Sequence, residues 1–262
     1  MNGIIELSYV DILISTSLIL LTISISYWQK LDLEKTLFIG MLRAFVQLTL
    51  IGYVLQEVFK TNLWVLVISI LLLMILIATR ESLRRQKKKT KEMSMNVFIA
   101  LSVTSTFMLF ALTEVIIRIE PWYNPHYLIP LGGMILGNAM NIASLAVDRL
   151  YTEIKANKDA IETALSLGAT PKQAIEKYMQ NSVKASIIPA TNSLMTVGLV
   201  QLPGMMTGQI LSGISPAVAV NYQIVIMYVW VSAATMAGVI VTLLESKKYF
   251  NSNQQLNLEL LK

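Results

Sequence analysis

Seven polar side chains stand where the surrounding sequence is apolar: Arg43, Gln47, Asn138, Asn141, Asn192, Gln201 and Gln209. An amide both donates and accepts hydrogen bonds, so such residues either lock neighbouring helices or line a polar route through them. Arg43 costs about 2.5–3.5 kcal/mol at mid-helix on insertion scales, and Gln47, four residues on, shares its helix face. Arg43 also lies within about 10 Å of the nearer helix end at 1.5 Å per residue, close enough to snorkel. Gln201 and Gln209 flank Pro203-Gly204, where proline's missing amide proton should kink or break a helix and free carbonyl oxygens as ligands. Met205 and Met206 follow the break; their thioethers are soft, weak metal ligands and equally good fillers of irregular apolar space. Glu114 adds one carboxylate that could attract a cation. With no cysteine and one histidine, His126, the chain cannot build a zinc site of the usual Cys/His kind. A Gly-x-x-x-x-Gly-Lys-Ser/Thr phosphate loop is also missing, so the chain is not itself an ATP-hydrolysing enzyme.

The elements that must position these groups follow from composition. The chain is 55% hydrophobic and 14% charged, whereas soluble domains carry about 25% charged residues. Apolar runs at roughly 8–28, 36–57, 63–79, 96–117, 128–147, 186–211 and 222–244 approach the ~20 helical residues that cross a bilayer. Continuous runs of this kind exclude the alternation of a barrel. The expected fold is all-α, a polytopic transmembrane helical bundle of about seven spans. Basic residues orient it. With Arg80, Arg84, Arg85, Lys87, Lys88, Lys89 and Lys91 inside, Lys30, Lys35, Arg149, Lys155, Lys158, Lys172, Lys177, Lys184, Lys247, Lys248 and Lys262 fall inside too. Only Lys60 and Arg118 fall outside, which places the N-terminus outside and the C-terminus inside a cytoplasmic (inner) membrane. The same partition accounts for the net charge of +5 without nucleic acid, and the basic 80–91 run faces anionic lipid. No Lys or Arg precedes the first apolar run, so that run is expected to be retained as a span and not removed as a signal peptide.

No linker or repeat divides the chain: residues 1–250 form one membrane domain, and 251–262 a polar cytoplasmic tail, disordered or a short surface helix. Within the domain, 148–185 is the longest polar interval. In Asp159-Ala-Ile-Glu-Thr-Ala-Leu-Ser-Leu-Gly-Ala-Thr-Pro171, Leu165 and Leu167 give a first helix an apolar contact surface. Gly168 supplies the left-handed conformation that ends it, Thr170 caps the next helix, and Pro171 suits that helix's first turn. Two helices meet at a sharp corner, and the second runs on into the sixth span. The corner is either a docking element or a hairpin covering the bundle base. In the fifth span, Gly133 and Gly137 allow close helix contact beside Asn138 and Asn141. The outer segment Glu120–Tyr127 places its aromatics and His126 at the interface.

Glu162-Thr-Ala164 with Gly168 six positions later resembles the Glu-Ala-Ala…Gly coupling loop of ABC transporter permeases, with Thr163 in place of the second Ala and the apolar-Pro pair displaced to Ile188-Pro189. Together with Arg43-Ala-Phe-Val-Gln47-Leu, Ile129-Pro-Leu-Gly-Gly through Ser144, and Gln201-Leu-Pro-Gly through Gly213, the chain resembles the FetB/YbbM family over about residues 5 to 250. That family includes a bacterial iron-export permease and plant aluminium-tolerance proteins. The resemblance implies a transmembrane permease subunit, paired with a second copy of itself and with a separately encoded ATP-binding subunit. That partner would bind ATP and Mg, and would dock through Glu162, Ala164, Leu165, Leu167, Gly168, Ala169, Thr170 and Pro171. Iron export is the implied transport activity. A different metal, a nucleotide-sugar, or a membrane scaffold without transport stay open as alternatives.

Overall fold

The computed structural model describes residues 8–86, 89–251 and 253–261, so Lys87, Lys88 and Lys262 lie outside the described residues. The chain is helical throughout: α1 (Tyr9–Trp28), α2 (Glu34–Thr61), α3 (Trp64–Arg84), α4 (Lys91–Phe110), α5 (Pro125–Ala156), α6 (Lys158–Ser166), α7 (Pro171–Thr196), α8 (Gly204–Leu211) and α9 (Pro216–Ser246). A π-helical stretch, Ala111–Ile117, extends α4. Among the described residues, six helices are long and apolar enough to cross a membrane. The run 186–211, expected as a seventh continuous span, is instead the second half of α7, an irregular segment 197–203, and α8. Hydropathy adds these pieces together because it is blind to backbone direction.

Helices α5 and α9 pack along one another at the centre, with α3, α4 and α7 around them. Ala100, Ala139, Ala143, Ala146 and Ala237 are fully buried in one cluster, so small side chains let backbones approach where lipid offers no hydrophobic drive for association. The tightest glycine contact is at Gly132, where a Cβ would lie 2.7 Å from Leu71 Cδ2. Of the two glycines expected to serve this purpose, Gly133 does, with Met74 Cε 3.0 Å from its notional Cβ, whereas Gly137 faces open space.

The α1–α2 hairpin stands apart. Among its described residues only Ser26 and Val58 are buried. It is fastened to the bundle near both ends of α2, by Arg43 Nη2 to Glu81 Oε1 of α3 at 3.2 Å and by Phe59 stacked on His126 at 4.0 Å between ring centroids.

The two ends of the bundle differ. At one end α3 finishes against α5, where Gln86 Nε2 donates to the Ser144 carbonyl at 2.9 Å and Ser144 Oγ to that of Ser82 at 3.2 Å. With 32 residues, α5 is about 48 Å long, well over the ~30 Å hydrocarbon. Its last twelve residues, 145–156, therefore project about 18 Å beyond the level of Ser144, and there they carry α6, the start of α7 and the end of the chain.

Candidate functional site

The projecting base is built by local rules. Helix α6 ends in a Schellman motif: the Ala169 amide donates to the Ala164 carbonyl and the Gly168 amide to the Leu165 carbonyl, each at 3.0 Å, with Gly168 at φ +92°. A side chain at that φ is strained for any L-residue. Helix α7 opens two residues later with a capping box. Thr170 Oγ1 accepts from the Gln173 amide, while the Thr170 amide donates to Gln173 Oε1 at 2.9 Å. Pro171 sits in the first turn, where its missing donor is free of cost. Two abutting caps hold the corner at a fixed angle, and α7 then runs uninterrupted for 26 residues into the bundle, past Pro189.

Leu167 projects from this corner at 84% exposure. Leu165 does not share that surface fully: it packs partly against the base cluster of Leu150, Ile154, Ile161 and Ile175. Its neighbour Ala164 joins the same cluster, whereas Glu162, Ala169 and Gly168 border an open groove of about 690 Å³. The other wall of that groove is the end of the chain, through Asn253, Gln254, Gln255, Leu256 and Leu258. Residues 253–261, expected to lie in a polar tail that is disordered or a short surface helix, are held by a bridge between Phe250 and Leu256 and by burial of Leu256 and Leu261 in the base cluster beside Tyr249. Leucines spaced through a polar segment were the available signal.

A further group escaped sequence reasoning. Glu245, in the last turn of α9, is fully buried; Asn96 Nδ2 donates to its Oε1 at 2.8 Å, and Lys248, also buried, pairs with its Oε2. A carboxylate closing an apolar run next to Lys248 was the clue, because buried charge requires a partner.

The second assembly of expected residues surrounds the interruption of α7. The chain turns tightly at 197–201, with Gly198 at φ +83° and its amide donating to the Gln201 carbonyl at 3.0 Å. The Leu199 and Val200 amides return to the Thr196 carbonyl. The turn's own amides thus take carbonyls that were expected to be free. Pro203 ends the turn and precedes the first residue of α8, Gly204. Leu199 and Val200 are 89% and 82% exposed, α8 buries no residue, and Asn192 and Gln201 are exposed on the same stretch. Midway along α7 the packing is tight, since a Cβ at Gly238 of α9 would meet Ile142 of α5 at 3.1 Å and Ser186 Oγ of α7 at 3.6 Å.

Arg43, Gln47, Asn138, Asn141 and Glu114 do not join this stretch. Arg43 is engaged by Glu81, and Gln47 stands exposed on α2. Asn141 Oδ1 accepts from Arg85 Nη1 at 3.0 Å, and Asn138 Nδ2 donates to the Met134 carbonyl of its own helix at 2.8 Å. Gln209 Oε1 is buried with no partner among the described residues. Met205 is exposed and Met206 half-buried. Glu114 lies on the π-helical stretch and borders a cavity of about 230 Å³ between α3 and the end of α4, with Thr106, Thr113 and Trp122. Among the described residues no three His, Asp or Glu side chains come together to hold a metal.

Comparison with known proteins agrees with this layout. Residues 9–250 match the Uncharacterised protein family UPF0014. The chain belongs to that family. A UPF0014 membrane protein of Synechocystis is 41% identical over 256 residues, covering 97% of this chain and 98% of the relative. The probable iron export permease protein FetB of Escherichia coli is 36% identical over 248 residues, 94% and 93% of the two chains. The rice UPF0014 membrane protein STAR2 is 33% identical over 246 residues, 93% and 84% of the two. No solved structure matches the chain. The UPF0014 match spans every membrane-crossing helix, the α6–α7 corner and the interrupted α7–α8 segment, so this is a multi-pass membrane protein whose relatives include a probable permease.

Proposed function

We propose that this chain is the transmembrane permease subunit of an ABC transporter and exports iron across the cytoplasmic membrane. A separate ATPase, which itself binds ATP and Mg, docks on the corner at 159–171 and drives a pair of permease copies. The observation that carries the reading is the mechanical continuity of α7. One unbroken helix joins an exposed, rigidly capped corner to the interruption at 197–203, so displacement of the corner moves the turn that carries Gln201. Similarity to the probable iron export permease of E. coli supports iron as cargo and export as direction. Placing the base in the cytoplasm follows from its lysines and arginines.

A second reading, transport of another metal or of a nucleotide-sugar, draws on the donor set. Asn192, Gln201 and Gln209 are neutral amides, which hydrogen-bond an organic solute as readily as they solvate a cation. The test is ATP hydrolysis by the chain co-purified with its ATPase in lipid nanodiscs, titrated with Fe(II), Zn(II), Mn(II) and UDP-glucose. Selective stimulation by Fe(II) is expected. Stimulation by UDP-glucose alone supports the second reading, and failure to form any complex with an ATPase overturns both in favour of a scaffold.

A further inference from the structure

Between the last turns of α3 and the first turns of α4, within the basic 80–91 run expected to face anionic lipid, lies a groove of about 850 Å³ that the transport reading does not use. Its composition is graded along the membrane normal. Leu76 and Phe98 line the deep end, and Arg80, Arg84, Lys89 and Lys91 converge on the shallow end from both helices. Thr79 and Ser94 lie between; Thr79 Oγ1 donates to the Ile75 carbonyl at 2.9 Å, which leaves the Ser94 hydroxyl. Leu76 and Arg84 are eight residues apart, so the gradient spans about 12 Å.

Basic residues scattered around helix ends serve topology and need no ligand. Here four converge on one concavity. Among the described residues that line it none is acidic. Arg84 is engaged by Glu81 Oε1 at 3.0 Å, whereas Arg80, Lys89 and Lys91 pair with no described residue. Three uncompensated cations over an apolar floor call for an anion that carries its own apolar body. The floor also opens at hydrocarbon depth, which a soluble anion would leave bare.

We infer that this groove is a binding site for one anionic phospholipid, its phosphate held by Arg80, Lys89 and Lys91 and its acyl chains lying along Leu76 and Phe98. The groove shares no lining residue with the α6–α7 corner, so it is separate from the proposed ATPase dock. Its occupant ties α3 to α4.

The experiment is native mass spectrometry of the full chain in zwitterionic detergent, titrated with dioleoyl phosphatidylglycerol, dioleoyl phosphatidylcholine or inorganic phosphate. One phosphatidylglycerol per chain is expected, with phosphatidylcholine far weaker and millimolar phosphate unable to displace it. At about 1 kcal/mol per cation, the double variant Arg80→Gln/Lys91→Gln weakens the lipid about 30-fold. The reverse exchange Arg80→Lys/Lys91→Arg retains binding, which guards against a folding defect, and Lys60→Gln/Arg118→Gln at the opposite end changes nothing. Equal retention of phosphatidylcholine, unchanged binding by the double variant, or displacement by phosphate would each overturn the site. Because the readout is lipid bound to the chain alone, its failure is distinguishable from failure of the permease reading.

Discussion

At Gly168 a single torsion sets the angle between α6 and α7. Nothing lies within 4 Å of a notional Cβ there, so a substitution meets backbone strain and no steric clash. Gly168→Ala should cost about 1–2 kcal/mol, and Gly168→Asn less, because Asn visits the left-handed region more readily. ATPase association measured by co-purification should fall in the same order, with membrane insertion unaffected; equal behaviour of Ala and Asn would detach the effect from φ. Leu167→Asp alters only an exposed side chain, so it should abolish association at unchanged melting temperature. Leu165→Asp should lower both, since Leu165 also packs into the base. The buried pair at Glu245 behaves differently. Glu245→Ala leaves Lys248 buried without its carboxylate and should destabilise the protein by about 3–5 kcal/mol, read as a lower melting temperature in detergent.

The caps of the α6–α7 corner were legible in the sequence because capping chemistry acts within three or four residues. Gly168, Thr170 and Pro171 announce it without reference to the rest of the fold. The final segment was illegible for the opposite reason. Leu256 and Leu261 are held by Leu150, Ile154 and Ile161, about a hundred residues away, and no local pattern encodes such a partner. The carboxamide of Asn96 reaching Glu245 across 149 positions is a similar case. Between these extremes stands the interruption of α7. Pro203-Gly204 marks it, but the turn at 197–201 rests on Gly198, which precedes the proline and looks unremarkable within an apolar run. Removing residues 251–262 should uncover Tyr249 and the base cluster. The expected result is a chain that still inserts but whose α6–α7 corner is cut faster by protease and holds the ATPase more weakly; unchanged protection would mean that the segment contributes nothing to the base.

As a whole, the molecule pairs a well-packed bundle of α3, α4, α5, α7 and α9 with two stretches that its own fold leaves uncovered: the α1–α2 hairpin and the 197–211 segment. Membrane character and helical class were readable from composition alone, and the count of continuous spans was not, since hydropathy sums residues and ignores backbone direction. If two copies face each other across the interrupted helices, Gln201→Cys should crosslink between copies with a short bis-maleimide. The chain has no cysteine of its own, so no background reaction competes, and an absence of dimer in nanodiscs with the ATPase bound would remove the 197–211 segment from that interface. The burial of Leu256 and Leu261 has a consequence in time. A ribosome delivers Leu256 and Leu261 after α1 to α9 have been made, so the base that carries the α6–α7 corner closes only once those two leucines have been added. A chain cut before Leu256 would present a base that lacks two of its buried leucines, so the corner would be held firmly only late in synthesis.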